Sequence, residues 1–345
     1  PKMEKKETTI YDIAKALNIS PSTVSRGLSN HPAINAKTKN KILKSAQSMG
    51  YQSNKFASSL RKKRTNTIGV IIPRLDSLFM SSVIAGIEKV VNTAGYNLII
   101  SQSLESEKKE KSNAVIMFNS RVDGLIVSLS NETKDYSHFE TFIDKNIPLI
   151  FFDRIAEELP STKVIIDNQK AGYIATKHLI DQGCRKILHI TSNVHRNVYR
   201  DRFEGYKKAL MENNLPFEED LFIMNDLSET AIVNSIKAIF VDHNGERPDG
   251  IFLTSDSAAA IALTTLRDNG IRVPEDVAII GFNNDIISKV TEPAISTINY
   301  PGNDMGESVA RILLNHLNGD GNLNITSTVV LNTELIVRNS TVRKG

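Results

Sequence analysis

The sequence predicts an α/β protein in two parts, a small N-terminal helix-turn-helix module joined to a large body of doubly wound sheets. Three observations carry that expectation. Of 42 Lys and Arg and 39 Asp and Glu in 345 residues, residues 1–64 hold fourteen basic and only three acidic side chains. The remainder holds 28 basic and 36 acidic, so a basic module precedes an acidic body, the charge pattern of a chain whose first part meets a polyanion. Short capped helical patterns come first, and strand–helix alternation fills the rest. The chain is also too long for one ordinary core.

In the basic module, Thr8 or Thr9 can cap a helix carrying Ile10, Ile13, Ala14 and Leu17 at helical spacing. Asn18-Ile19 breaks it. Ser20-Pro21 opens a second helix, with a capping serine and a proline at the first helical position. Val24 and Leu28 form its apolar side, which leaves Pro21, Ser22, Ser25 and Arg26 to face outward. A third helix is expected over 36–49, with Ile42, Leu43 and Ala46 inward and Lys37, Lys39, Lys41 and Lys44 outward. Three short helices with a tight turn between the first two are helix-turn-helix geometry. The second helix would offer a major groove short polar side chains and one arginine, whose fork fits guanine O6 and N7.

The runs Tyr11-Asp12-Ile13-Ala14 and Ile19-Ser20-Pro21-Ser22-Thr23-Val24-Ser25-Arg26 closely resemble the headpiece of the LacI/GalR (lactose-repressor) family. The likeness continues through Gly50-Tyr51 and Asn54-Lys55-Phe56-Ala57-Ser58-Ser59-Leu60, which matches that family's hinge helix. The resemblance implies DNA contacts from Thr9, Tyr11, Ser20, Pro21, Ser22, Thr23, Ser25 and Arg26, and from Asn54, Ala57 and Leu60 of the hinge, with Leu60 entering the minor groove. Arg61, Lys62, Lys63 and Arg64 follow at once, beside where phosphates would lie. Ser29 departs from members that carry asparagine there.

From Thr67 onward, 68–72 reads as a buried parallel strand and 79–94 as an amphipathic helix. Further short strands are expected at 97–100, 124–127 and 149–152, then in a second series at 164–166, 186–190, 221–224, 250–253 and 277–280. Two series argue for two doubly wound sheets, with a ligand site in the cleft between their carboxyl ends. Phe152-Asp153-Arg154, Asp167-Asn168, Arg202-Phe203-Glu204-Gly205-Tyr206, Ser255-Asp256 and Val273-Pro274-Glu275-Asp276-Val277 resemble the two-lobed, type I periplasmic-binding-protein-like sensor of the same family. That likeness implies a headpiece at 1–52, a hinge at 53–64 and a sensor at 65–345. The chain would then cross between lobes near 160, 291 and 325, giving a first lobe of 65–160 with 292–325 and a second of 161–291 with 326–345.

Effector contacts are expected from Arg202, whose planar fork can bind two hydroxyls or a carboxylate, and from Asp256, placed to accept from sugar hydroxyls or to cap its helix. Asn283 stands where many members carry aspartate; Phe79 could stack on a sugar or base, or serve the core. Ser130 is carried by resemblance alone, while Asp153 and Arg154 either line the cleft or pair with each other.

No Gly-x-x-x-x-Gly-Lys loop, His-Glu-x-x-His pair or Gly-x-Ser-x-Gly elbow occurs, and the seven histidines are scattered, so catalysis is not expected. One cysteine, Cys184, rules out an internal disulfide and a multi-cysteine zinc site. Neither a cofactor nor a metal is expected. No apolar run approaches the ~20 residues of a membrane span, and no secretory leader precedes the headpiece, so a cytoplasmic protein is expected over a secreted binding protein. An architectural DNA binder with an idle cleft is the remaining alternative. The resemblance implies a homodimer on near-palindromic double-stranded operator DNA, controlled by a small-molecule effector of carbohydrate type and acting most simply as a repressor.

Overall fold

In a computed structural model of the chain, residues 8–51, 64–242, 245–319 and 326–343 are described. Contacts divide the chain into two compact units at residues 65 and 66. Asn54, Ala57 and Leu60 lie outside the described residues, as does most of the basic run that follows them.

The first unit holds α1 (Ile10–Leu17), α2 (Pro21–Leu28) and α3 (Ala36–Ser48). Thr9 caps α1 in a reciprocal box with Asp12, and Asn18 ends that helix in a left-handed conformation, making the tight turn. Ser20 caps α2, with Pro21 at its first position. Ile13, Ala14, Val24, Ile42 and Ala46 form the buried centre. Gly27 lets α2 lie close on α3, since a β-carbon there would run into Ile42. Leu43, expected inward, is 50% exposed. It follows Ile42 directly, about 100° further round the helix, so both cannot face one small core.

The second unit runs β1 (Thr67–Ile72), α4 (Leu78–Thr93), β2 (Asn97–Gln102), α5 (Glu107–Asn119), β3 (Gly124–Val127), α6 (Ser137–Asp144), β4 (Leu149–Phe152) and β5 (Thr162–Ile166). It continues with α7 (Asn168–Asp181), β6 (Ile187–Thr191), α8 (Asn197–Glu212), β7 (Phe222–Met224), α9 (Glu229–Phe240), β8 (Gly250–Leu253) and α10 (Asp256–Asp268). It ends with β9 (Ala278–Asn283), α11 (Ile286–Val290), β10 (Ser296–Asn299), α12 (Gly302–Asn318), β11 (Thr328–Leu331) and β12 (Glu334–Ile336). Two six-stranded sheets result, ordered β11-β5-β4-β3-β1-β2 and β12-β10-β9-β8-β6-β7. All pairings are parallel except β10 with β12.

Every crossing between lobes falls later than the sequence suggested. The strand at 164–166 was expected to open the second series, yet β5, which contains it, pairs with β4 in the first sheet. β10 stays in the second sheet, and β11 adds to the first beside β5. The chain therefore crosses after Ile166, after Asn299 and between Leu331 and Glu334, not near 160, 291 and 325. Apolar runs mark strands, but which sheet edge a strand joins is decided by its neighbours.

Both lobes use one packing device beside the crossings. In the first, α4 lies on α12 through Gly86 and Gly306; a β-carbon on either would collide with the carbonyl of Asn303 or Val83. In the second, α7 lies on α8 through Gly172 and Gly205, facing the carbonyls of Arg202 and Gln169. Gly306→Ala must part α4 from α12, so it should cost roughly 1–3 kcal/mol of stability. Urea unfolding checks this; an unchanged midpoint would mean the helices separate freely.

Candidate functional site

The first candidate face lies on α2. Ser22 and Arg26 are exposed, while Pro21, Thr23 and Ser25 are half-buried. Ser20 Oγ accepts from the Thr23 amide at 3.1 Å and lies 2.8 Å from the hydroxyls of both Ser22 and Thr23. Thr9 is exposed beside Tyr11, whose ring is 68% exposed although the core is close by. Lys39 Nζ donates to Asn30 Oδ1 at 2.8 Å, fastening the loop before α3, whereas Lys37, Lys41 and Lys44 remain outward. Short polar groups and one long cation thus stand on a rigid helix, whose Thr23 amide is already capped by Ser20.

The second is the cleft where the carboxyl ends of the two sheets meet, a cavity of about 180 Å³. Arg202 reaches it from α8 and is 3% exposed. Its Nε donates to Asn168 Oδ1 at 2.8 Å, its Nη1 donates to the Thr254 carbonyl at 3.3 Å, and its guanidinium carbon lies 3.6 Å from the Phe282 ring centre. Burial lowers its pKa from the ordinary arginine value, with Tyr300 and Asp153 opposing that shift. Phe79 stacks on Tyr300 with ring centroids 4.2 Å apart. Tyr300 in turn donates to Asp153 Oδ1 at 2.8 Å. Arg154 Nη1 donates to Glu105 Oε2 at 2.8 Å, and its Nη2 donates to the Tyr199 hydroxyl at 2.9 Å across the cleft.

The first turn of α8 is the main bridge between lobes. Asn197 spans the backbone of the first lobe, donating to the Asp153 carbonyl at 2.9 Å and accepting from the Ile155 amide at 3.1 Å. Arg196, 4% exposed, donates to the Thr133 carbonyl, and Arg200 pairs with Glu157 at 2.7 Å. Glu105, Asp153, Leu227 and Asn283 line the cavity in left-handed backbone conformations. Such strain in non-glycine residues gathers where structure is held for function.

Comparison with known proteins joins both sites to one family. Residues 9–54 match the model of bacterial regulatory proteins, lacI family, and residues 176–341 match a periplasmic binding protein-like domain. The HTH-type transcriptional regulator DegA of Bacillus subtilis is 32% identical, over 97% of this chain and 98% of its own. The chain belongs to the LacI family. As a member it is a DNA-binding transcription regulator with a sensor domain. A periplasmic binding protein/LacI transcriptional regulator from Alkaliphilus metalliredigens, complexed with D-xylulofuranose, superposes with a TM-score of 0.70 at 27% identity, covering 81% of this chain and 100% of that one. The lac repressor dimer bound to operator and the anti-inducer ONPF shares the fold, with a TM-score of 0.86 at 22% identity over 98% of this chain and 100% of that one.

Within this LacI-family cleft, Arg202, Phe79 and Asn283 come together, and so do Asp153 and Arg154, which both line the cavity and lie 4.0 Å apart. Phe79 serves as wall and core at once. Ser130 is not a lining residue: fully buried, its hydroxyl sits 2.6 Å from that of Thr133, and its neighbour Asn131 faces the cavity instead. Asp256 is also displaced from the expected role. Its Oδ1 accepts from the Thr297 hydroxyl at 2.7 Å and its Oδ2 from the Asp285 amide at 2.8 Å, so both oxygens are spent inside the lobe. It braces the loop that follows Asn283 and is not among the residues that line the cavity. Tyr300, Tyr199, Asn131, Ser192 and Asp226 were missed. Tyr300, Ser192 and Asp226 stand one or two residues beyond the carboxyl end of a strand, a rule that would have found them.

Burial pushes the Asp256 carboxyl from 3.8 up to about 7, with Asp285 adding to the effect and the Thr297 hydrogen bond opposing it. The folded protein therefore holds this proton more tightly than the unfolded chain. Its contribution to stability is complete below pH 3.8 and is lost as pH rises to about 7. Asp256→Asn keeps one acceptor and one donor, so it should flatten that part of the stability–pH curve. Parallel wild-type and variant curves from urea unfolding at pH 4 to 8 would contradict the assignment.

Proposed function

We propose that this regulator binds a near-palindromic operator as a homodimer, reading it with α2, and that a small carbohydrate effector in the cleft sets its affinity. The observation that carries the reading is α2 itself. A capped helix on its own small core presents Ser22 and Arg26 outward, in a unit with a large basic excess. Thr9, Tyr11, Ser20, Pro21, Thr23 and Ser25 complete the proposed contact face. Lys37, Lys41 and Lys44 supply phosphate neutralisation, which strengthens binding without selecting sequence. In the cleft, Arg202, Phe79 and Asn283 are the proposed effector contacts. The D-xylulofuranose held by the Alkaliphilus regulator and the operator-bound lac repressor dimer support effector class and assembly by likeness.

Arg26→Ala should weaken operator binding by about 1–3 kcal/mol and relax the preferred sequence. Lys44→Ala should weaken all sequences alike and lower the salt slope by about one unit. Binding-site selection followed by fluorescence anisotropy separates the two. An unchanged consensus with unchanged affinity for the Arg26 variant would remove α2 as the reading helix.

A further inference from the structure

We infer that the cleft takes an uncharged single-ring polyol, a free monosaccharide, in preference to sugar phosphates, disaccharides and nucleobases. The inference rests on the effector reading above and narrows it. Size comes first. A dry cavity of about 150 Å³ accepts benzene, so the cleft at about 180 Å³ has room for one substituted ring and not for two.

Charge comes next. Three guanidinium groups line the cleft, and two of them already pair with an acid. Arg74 donates through Nε and Nη2 to Asp76 at 2.9 and 2.7 Å, and Arg154 donates through Nη1 to both oxygens of Glu105 at 3.0 and 2.8 Å. Arg202, the third, makes no ion pair among the described residues and is held by Asn168 Oδ1, the Thr254 carbonyl and the Phe282 ring. Asp226 stands at the rim with its carboxylate turned to its own chain, where Oδ1 accepts from the Ser228 amide at 2.9 Å. It has no ion-pair partner among the described residues. An incoming phosphate would lose its hydration, find two of the three cations already paired and the third already hydrogen-bonded, and meet Asp226 at the entrance.

The remaining lining suits hydroxyls. Asn131 Oδ1 is buried and accepts no hydrogen bond, an open acceptor that a ligand hydroxyl can fill. Ser192, Thr254 and Asn283 offer further polar groups around it. Phe79 and Tyr300 cover one another and so present a single aromatic wall. Tyr199 faces Arg154 and Arg202 at 5.4 and 5.9 Å, so no second parallel ring completes a slot for a flat base. One apolar wall with hydroxyl, amide and carboxylate groups opposite suits a small ring that carries hydroxyls.

Calorimetry on the full chain tests this with the five- and six-carbon aldoses and ketoses, their phosphate esters, cellobiose and hypoxanthine. A free monosaccharide should bind best, its phosphate ester at least about tenfold more weakly, and Asn131→Ala should weaken the monosaccharide by about tenfold. Asp226→Asn should narrow the gap between sugar and ester. Tighter binding by a phosphate ester, by cellobiose or by hypoxanthine overturns the inference and leaves an effector site in place. Absence of heat from every compound, with operator binding intact, overturns the effector reading as well.

Discussion

Two parallel sheets that point their carboxyl ends at one another impose the constraint from which the rest of the sensor follows. Backbone and side-chain polar groups at those ends are driven into a shared, partly dry space, and each must find a partner there. Arg154 and Asp153 of the first lobe complete their hydrogen bonding with Tyr199 and Tyr300, which follow the first and second crossings. Asn197 serves the backbone of the facing lobe at two points. Opening the cleft would strip these groups of partners and expose them to water, so the choice between a closed and an open arrangement carries a cost. A ligand that contacts both walls biases the choice by its difference in affinity for the two.

Positioning of Arg202 shows how the fold transmits that choice. Its helix, α8, is held against α7 by Gly172 and Gly205, and α7 begins two residues after the first crossing. Asn168, at the start of α7, accepts from Arg202 Nε. The guanidinium in the cleft is therefore tied to the crossing strand both through backbone packing and through one hydrogen bond. Gly86 and Gly306 give the first lobe the same rigid contact beside the second crossing. Rigid helix pairs on either side leave the crossings themselves as the places where movement can occur.

Much of this was legible beforehand, and the misses share one physical origin. Capping signals at Thr9 and Ser20 and the left-handed Asn18 place the headpiece helices from local chemistry alone. Apolar runs likewise placed β1 to β9, because a strand buried on both faces has a strong local signature, whereas β10, β11 and β12 had not been expected. Sheet membership of β5, β10 and β11 is set by long-range pairing, and the crossings were misplaced accordingly. Asp256 was legible as a carboxylate just beyond a strand but not as one already satisfied by Thr297 and Asp285, which are distant or irregular in sequence. Arg202 was found by resemblance, whereas Tyr199 and Asn131 are ordinary residues until the facing lobe is present. Leu43 shows the converse, an apolar residue at a plausible period that no core reaches.

Coupling between cleft and operator is the central claim, and thermodynamic linkage makes it measurable without knowing any conformation. Binding free energies are reciprocal: the factor by which a sugar changes operator affinity must equal the factor by which operator changes sugar affinity. Calorimetric titration of the bound monosaccharide into free protein and into the operator complex gives that factor directly. The account predicts two different sugar affinities, in a ratio that matches the operator affinities with and without sugar. Equal sugar affinity in the presence and absence of operator would contradict it.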